Sequence, residues 1–297
     1  MKENTLLTTE KIHPRTTKLD VSTPAQIVRM IHREDIVAAR AVAKAAPAIA
    51  RAIDIAARTY LSGHKILFIG AGTSGRLGIL EAVECVPTFG IKPHEIQGII
   101  AGGKKAVFRS QEGAEDNGKQ GAKDILAKAQ KGDFVMGLTA SGTTPYVLGA
   151  LQAAKKIGCT TALLACNQPA DTPPADIFIF LPTGPEPLSG STRMKAATAT
   201  KMTLNIITTG AMARAGKVYK NLMVDVQPSN KKLIRRAVRL IATVSGADEK
   251  TAEKLLRLSG KNVKTAIVMH LKKCSRVQAE KLLKKHHDFL REVLHEG

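Results

Sequence analysis

Three short segments of this chain combine glycine with hydroxyl side chains. Gly70-Ala-Gly-Thr-Ser-Gly75 directly follows the apolar run Ile66–Ile69, where a strand is expected to pass into a helix. Thr139–Thr144 and Ser189–Thr192 have a similar hydroxyl-rich composition. Hydroxyl groups, backbone N–H groups and a helix N-terminus together suit the oxygens of a small phosphate monoester. Three such segments predict a phosphate pocket, although a tight turn with a Ser/Thr N-cap would explain any one of them alone.

The first segment also matches the G-x-G-x-x-G fingerprint of dinucleotide-binding loops, which is a weak signal by itself. A Rossmann fold needs an acidic residue at the end of the second strand to bind ribose. Here the predicted second strand, Ile96–Ala101, ends in Gly102 and Gly103. The segment also carries Thr73 and Ser74, which a dinucleotide loop does not need. These differences favour a sugar phosphate over a dinucleotide.

Two carboxylates stand near these segments. Glu84 lies at the end of the helix predicted after the first segment, and Glu115 lies at the mouth of another helix. A pair of carboxylates can divide acid and base work where their environments separate their pKa values. From spacing alone, a solvated or helix-capping role is the alternative for both.

The elements that must position these residues alternate between residues 65 and 210. Short apolar strands with helices between them indicate βαβ units around a buried parallel sheet, which is an α/β fold. Ligands bind such sheets at the carboxyl ends of the strands, where the hydroxyl segments fall. The predicted strands are Lys65–Ile69, Ile96–Ala101, Phe134–Thr139, Thr160–Cys166 and Ile177–Leu181, and the predicted helices are 75–85, 118–129, 144–157 and 190–214.

Helical patterns flank this region on both sides. Residues 24–32 and 34–61 have helical spacing of apolar residues, and a small all-helical domain is predicted after Pro228. Its expected helices are 230–243, 248–258, 262–271 and 276–294. The predicted domains are residues 1–55 (N-terminal arm and helices), 56–220 (sugar-phosphate-binding domain) and 230–297 (helical domain).

Charge and composition limit the classes of partner. The chain of 297 residues has a net charge of +20, to which residues 231–297 contribute 17 Lys and Arg against 7 Asp and Glu. Phe289 is the only aromatic residue of that region, so solvated helix faces are favoured over a nucleic-acid site. The sequence has neither an apolar run of membrane-spanning length nor a signal-peptide core, and its four cysteines are scattered. We therefore expect a cytoplasmic protein with free thiols and no zinc site.

Several longer motifs resemble one family. They are Gly70-Ala-Gly-Thr-Ser-Gly-Arg-Leu-Gly78, Glu84-Cys-x-Pro-Thr88, Ile100-Ala-Gly-Gly103, Glu112-Gly-Ala-Glu115-Asp116, Ala140-Ser-Gly-x-Thr-Pro-Tyr146, Ser189-Gly-Ser-Thr-Arg-Met-Lys195 and Asn221-Leu-Met-Val-Asp225. Together they closely resemble the N-acetylmuramic acid 6-phosphate etherases of the sugar isomerase (SIS) superfamily. The resemblance runs from about Thr9 into the C-terminal helices, up to Thr265-Ala-Ile-Val268.

The resemblance implies a three-layer SIS domain with flavodoxin-like winding and a small, ubiquitin-associated-like helical domain. It implies a lyase of cell-wall sugar recycling that converts N-acetylmuramic acid 6-phosphate to N-acetylglucosamine 6-phosphate and D-lactate. Glu115 is then the base at C2, and Glu84 is the acid that assists lactate departure and afterwards activates water. Neither a metal nor a redox cofactor is implied. The resemblance does imply a homodimer with its active site near the subunit interface.

The substrate-binding residues expected on these grounds come mostly from the hydroxyl segments. They are Gly72, Thr73, Ser74, Ser141, Thr143, Thr144, Glu186, Ser189, Ser191, Thr192 and Lys195. The family often has Arg at the position of Thr143 and Gly at that of Ala197, and the N-terminal segment Thr9-Glu-Lys-Ile-His-Pro-Arg15 departs from the Arg-Asn-Pro wording usual in the family. The resemblance implies that this N-terminal arm helps to complete the site across a dimer. A non-catalytic phosphosugar sensor and an aldose–ketose isomerase of the same superfamily are the alternative functions.

Overall fold

The computed structural model describes residues 6–228 and 230–295. The chain forms two compact units. The first runs up to Ala82 and resumes over His94–Thr208, and the second comprises Val83–Pro93 and the residues from Thr209 onward. Within the described ranges, no helix is long and apolar enough to cross a bilayer.

A five-stranded sheet forms the centre of the first unit. All neighbouring strands are parallel, in the order β2-β1-β3-β4-β5. This is the doubly wound order of flavodoxin-like folds, in which ligands bind where the strand order reverses, between β1 and β3. The strands are β1 (Ile66–Gly70), β2 (Ile96–Ile100), β3 (Phe134–Thr139), β4 (Thr160–Ala165) and β5 (Ile177–Phe180). The predicted parallel α/β fold is confirmed, and each strand lies within a residue or two of its expected position.

Helices cover both faces of the sheet. Leu67 and Ile69 of β1 pack with Ile125 and Leu151, which belong to helices on one face. Phe68 points the opposite way, and its side chain lies against Gly78. The helices of this part of the chain are α1 (Pro24–Lys44), α2 (Ala46–Leu61), α3 (Gly72–Phe89), α4 (Gly103–Phe108), α5 (Gly118–Leu126), α6 (Pro145–Lys156) and α7 (Lys195–Arg214).

The helix α1 differs from its prediction. It begins with a capping box, in which the Thr23 side chain accepts from Gln26 N–H and the Gln26 side chain accepts from Thr23 N–H. It then continues through Arg33, where the sequence pattern indicated a break. The break occurs at Ala45 instead, because Pro47 has no N–H and fits only the first turn of the next helix.

The helix α3 begins earlier than predicted, at Gly72, so the first hydroxyl segment forms its first turn. Here strand and helix approach so closely that only glycine fits. A Cβ on Gly75 would lie 2.8 Å from Gly70 O and 2.6 Å from a side-chain carbon of Ile100. The glycines therefore set the tight passage from β1 into the helix.

The second unit is helical, with a core that includes Ile241, Ile267 and Val293. Its helices are α8 (Lys231–Ser245), α9 (Glu249–Leu258), α10 (Val263–Leu271), α11 (Arg276–Lys285) and α12 (Leu290–His295). The last two form where one helix, 276–294, was predicted. His287 and Asp288 adopt φ values of 50° and 64°, a left-handed conformation that no helix continues through.

Candidate active site

A cavity of about 380 Å³ opens in the first unit at the carboxyl ends of β1 and β3. We call it the hydroxyl cavity. Its walls come from the three hydroxyl-rich segments, from the turn that carries Glu115 and Asp116, and from Leu7, Thr9 and Glu10 near the N-terminus. The lining residues are Leu7, Thr9, Glu10, Ala71, Gly72, Thr73, Ser74, Glu115, Asp116, Leu138, Thr139, Ala140, Ser141, Thr143, Thr144, Pro145 and Thr192.

The first hydroxyl segment contributes Gly72, Thr73 and Ser74 to the cavity. These residues form the first turn of α3. The first N–H groups of a helix have no partner within it, and the helix dipole adds partial positive charge there. This wall therefore presents hydroxyls and N–H donors together, an arrangement suited to an oxyanion.

The second segment forms a linked set of hydroxyls. Thr139 Oγ1 lies 2.7 Å from Thr144 Oγ1 and 3.2 Å from Ser141 Oγ. Thr143 donates to Ser141 Oγ from its N–H and from its hydroxyl, each at 3.2 Å. These contacts fix the hydroxyls before any ligand arrives. Thr139 itself was not predicted as a site residue, although its segment was.

Glu115 brings a carboxylate to the same cavity. It is exposed and lies in a short 3₁₀ turn, Ala114–Asp116, that precedes α5. The Asn117 side chain caps α5 by accepting from Gln120 N–H at 2.9 Å. Asp116 lines the cavity beside Glu115 and was not singled out from the sequence.

Of the third segment, the structure places Thr192 in the cavity wall. Ser189 donates its hydroxyl to Lys11 O at 3.3 Å. Ser191 N–H donates to Leu188 O at 2.9 Å and thereby tightens the turn. Neither serine belongs to the cavity lining, so a substrate contact for Ser189 and Ser191 stays a prediction.

Glu186 and Lys195 are buried and have protein partners. Glu186 accepts from the N–H groups of Lys195 and Ala196, at 2.8 and 2.9 Å, and so caps the start of α7. Burial raises the pKa of Glu186 above its ordinary value, and those two N–H donors oppose the rise. The Lys195 ammonium lies 2.8 Å from Glu34 Oε2. Substrate contact by Glu186 or Lys195 stays a prediction.

Glu84 is exposed on α3, in the stretch Val83–Pro93 that belongs to the second unit. Its carbonyl oxygen accepts from the Thr88 hydroxyl at 2.7 Å. It does not belong to the lining of the hydroxyl cavity, whereas Glu115 does. The buried glutamate of this helix is instead Glu81, which contacts Lys201 Nζ at 2.6 Å and the Thr208 hydroxyl at 2.5 Å.

The N-terminal arm, residues 7–22, supplies a further wall of the cavity, which the local sequence pattern did not indicate. Leu7, Thr9 and Glu10 line the cavity, and Thr9 is held by Asn167 on both its backbone and its hydroxyl. Nothing in the local sequence pairs the arm with strands that begin only at Ile66, so the family resemblance alone indicated that the arm contributes to the site.

The cavity thus combines an oxyanion cradle with carboxylates at one sheet edge. Hydroxyls and helix N–H groups can hold a phosphate, and an exposed carboxylate can take up a proton from a bound molecule. Within residues 6–228 and 230–295, no cluster of three or more His, Cys, Asp or Glu is arranged to hold a metal ion.

Two family models match the chain. The N-terminal SIS domain of glucokinase regulatory protein matches residues 48–155, and the C-terminal lid domain of that protein matches residues 220–264.

Several named proteins match the chain over nearly its whole length. Proteins named N-acetylmuramic acid 6-phosphate etherase are 48% identical in Symbiobacterium thermophilum, over 90% of this chain and 89% of the relative, and 49% identical in Gloeobacter violaceus, over 90% and 88%. A protein of the same name in Salmonella typhi is 45% identical over 97% of this chain and 98% of its own length. With this identity over nearly the whole of both sequences, the chain belongs to the N-acetylmuramic acid 6-phosphate etherase family.

Proposed function

We propose that this protein is an N-acetylmuramic acid 6-phosphate etherase, a lyase that releases D-lactate from the sugar and leaves N-acetylglucosamine 6-phosphate. The observation that carries the proposal is the sequence identity to proteins of that name across nearly the whole chain. The hydroxyl cavity supports it, because a phosphate cradle and a carboxylate lie together at the sheet edge.

The substrate's 6-phosphate is proposed to bind where hydroxyls and the start of α3 converge. Thr73, Ser74, Ser141 and Thr144 line this part of the cavity, and Thr143 and Thr192 extend it. Their hydroxyls each offer one proton donor to a phosphate oxygen. The close Gly70–Gly75 turn lets the backbone come near the ligand, as phosphate loops require.

The chemistry begins with the open-chain sugar, whose C1 aldehyde acidifies the proton at C2. The Glu115 carboxylate removes that proton, and the electrons form an enolate. The enolate expels the lactyl oxygen from C3 while the Glu84 carboxyl donates a proton to it. D-lactate leaves behind an unsaturated aldehyde. Each proton transfer by a positioned carboxyl contributes about 10²–10⁴-fold to the rate.

Water then completes the reaction. The Glu84 carboxylate removes a proton from a water molecule whose oxygen adds to C3. The proton held by Glu115 returns to C2, so both glutamates regain their starting states. One water is consumed for each ether cleaved, and the roles of the two glutamates are assigned by family resemblance.

Homodimerisation is part of the proposal. Leu80 and Val83 lie within four residues of Glu84 on α3 and are 43% and 60% exposed. Apolar side chains on a helix surface favour burial against another protein surface, and a second copy of the chain would provide one. We place the enzyme in the cytoplasm, in the recycling of cell-wall sugars.

The test is incubation of the purified protein with N-acetylmuramic acid 6-phosphate and an enzymatic assay for D-lactate. Release of D-lactate with one equivalent of N-acetylglucosamine 6-phosphate supports the etherase. Glu84→Gln is expected to block lactate release, and Glu115→Gln to block exchange of the C2 proton with solvent. Full lactate production by either variant excludes that residue from the mechanism. A ketose product would instead indicate an isomerase, and binding without turnover a sensor.

A further inference from the structure

Glu34 is a buried carboxylate that the mechanism does not use. It lies in the middle of α1, is 1% exposed, and contacts three basic side chains. Lys195 Nζ is 2.8 Å from Oε2, Arg15 Nε donates to Oε1 at 3.1 Å, and His13 Nε2 is 3.0 Å from Oε2. Burial alone would raise the pKa of Glu34, but the hydrogen bonds from Lys195 and Arg15 and the nearby positive charge lower it to about 2.

The hydrogen bonds of His13 define its role in this cluster. Arg15 N–H donates to His13 Nδ1 at 3.2 Å, so Nδ1 acts as an acceptor and the ring proton is on Nε2. The imidazole therefore donates from Nε2 to Glu34. The backbone of the arm and the carboxylate of α1 are joined through a single ring.

The partners of Glu34 come from the two segments that form one wall of the hydroxyl cavity. Lys195 follows Thr192 by three residues, and His13 follows Glu10 by three. Thr192 and Glu10 both line the cavity. Glu34 thus contacts both segments just behind the residues that face the ligand space.

Direct contacts between the two segments complete the wall. Gly190 N–H donates to Thr9 O at 3.1 Å, and the Thr16 hydroxyl donates to Pro187 O at 2.8 Å. The Glu10 carboxylate lies directly over Gly190, where even a methyl group on that glycine would be 2.6 Å from Oε2. The arm and the third hydroxyl segment are therefore closely packed against each other.

A buried carboxylate needs these partners, since leaving a buried charged group with unfilled hydrogen-bonding positions is costly. With the arm released, Glu34 would keep Lys195 and lose both His13 and Arg15. The docked arm is thus the favoured state for as long as Glu34 carries its charge.

We propose that Glu34 is a positioning residue of the substrate site, which acts by holding the arm against the third hydroxyl segment. The inference rests on the proposed function. The docked arm places Glu10 at the cavity wall, where its carboxylate accepts a hydrogen bond from a hydroxyl or amide N–H of the bound sugar. Glu34 itself contacts no substrate, and its loss weakens substrate binding more than it slows the chemical step.

The experiment compares full-length wild type with Glu34→Gln in two assays. In the D-lactate assay, the KM is expected to rise at least about tenfold, while kcat falls by less than about threefold. In limited trypsin digestion, cleavage after the exposed Lys11 is expected to accelerate at least about tenfold. An unchanged KM with unchanged cleavage after Lys11 would overturn the proposal.

Glu81→Gln is the matched control, because Glu81 is also buried and also pairs with a lysine of α7, whereas none of its hydrogen bonds or ion pairs within the described residues involves the arm. It is expected to lower stability without accelerating cleavage after Lys11. If Glu81→Gln releases the arm equally, general loosening explains the effect and the proposal fails.

If Glu34→Gln does not fold, variants of His13 in the arm test the proposal instead. His13→Ala removes the ring donor and is expected to raise KM and speed arm cleavage. His13→Gln keeps an N–H donor at a similar reach and is expected to restore most of both. Equal behaviour of the two variants would overturn the proposal.

Failure of the proposed function gives a different result. Wild-type protein would then release no D-lactate, whereas arm cleavage could still be compared between the variants. Affinity for inorganic phosphate, measured by titration calorimetry, would replace KM as the readout of the cavity. If neither phosphate affinity nor arm cleavage differs between wild type and Glu34→Gln, Glu34 has no positioning role and the proposal is overturned.

Discussion

The hydroxyl cavity has an unusual charge balance for a phosphate site. Its lining includes the carboxylates of Glu10, Glu115 and Asp116, and none of the described residues that line it is Lys or Arg. The chain as a whole has a net charge of +20. The cavity therefore depends on hydroxyls and backbone donors where a side-chain cation would be the stronger phosphate ligand.

Thr143 is the position at which a cation can be added. It is exposed at the cavity, and the family often has Arg there. We predict that Thr143→Arg lowers KM about tenfold, because a hydrogen bond from a charged donor contributes about 1.5–3 kcal/mol. The gain should shrink as salt is raised from 0.05 to 0.5 M. Thr143→Gln, which adds length without charge, is the control; an equal gain from Gln would refute the electrostatic explanation.

Gly190 tests how closely the arm must fit. Its φ of +76° disfavours any side chain, and a Cβ would lie 2.6 Å from Glu10 Oε2. Gly184 has a similar φ of +72°, but no atom of the described residues lies within 4 Å of the added Cβ. We predict that Gly190→Ala and Gly184→Ala lose a similar unfolding free energy, about 1–2 kcal/mol in urea titrations. Only Gly190→Ala should raise KM, because it alone displaces Glu10. A raised KM in both variants would contradict this reading.

At the scale of elements, the strands were the most predictable part of the structure. Runs such as Phe134–Thr139 are largely apolar, short and bounded by turn residues, so their local composition and length identify them as buried strands. The carboxyl ends of parallel strands meet at one edge, which is why Thr73 and Ser141 could be expected together. Their proximity depends on the parallel-sheet topology, which the alternation of predicted strands and helices already implied.

The polar run in α1 could not be read in the same way. The run His32-Arg-Glu-Asp35 lies where 24–32 and 34–61 were predicted as separate helical stretches, yet one helix passes through it and buries Glu34. That burial depends on Lys195, which is 161 residues away in the chain. No local pattern reports such a partner. Thr9 and Glu10 could not be identified as cavity residues for the same reason, because their neighbours in the cavity are distant in the sequence.

The end of the sheet opposite the cavity offers a test of stability alone. Asp133 is fully buried and accepts from Lys65 N–H at 2.8 Å and from Gln130 N–H at 2.9 Å, so it ties the start of β1 to the turn before β3. Asp133→Asn turns one acceptor into a donor that faces an N–H. We predict a loss of about 1–3 kcal/mol in unfolding free energy with kcat/KM unchanged.

Asp176→Asn is the comparison for that variant. Asp176 accepts from Thr161 N–H at 2.8 Å in a similar tie to β4, but its side chain is 37% exposed. Water can replace part of its lost hydrogen bonding, so the loss should be smaller than for Asp133→Asn. An equal or larger loss would show that burial does not set the cost.

For the molecule as a whole, Glu34 makes the free energy of unfolding depend on pH. Its pKa is lowered from 4.5 to about 2 in the folded protein, so the folded state binds this proton less readily than the unfolded chain does. Its stabilisation is therefore complete above pH 4.5 and is lost as pH falls toward 2, up to about 3 kcal/mol. We predict that the difference in unfolding free energy between wild type and Glu34→Gln shrinks over this interval, measured by urea titration at several pH values. Other carboxylates titrate in both proteins, so the difference isolates Glu34, and a difference that stays constant from pH 6 to pH 2 would show that Glu34 is not the carboxylate responsible.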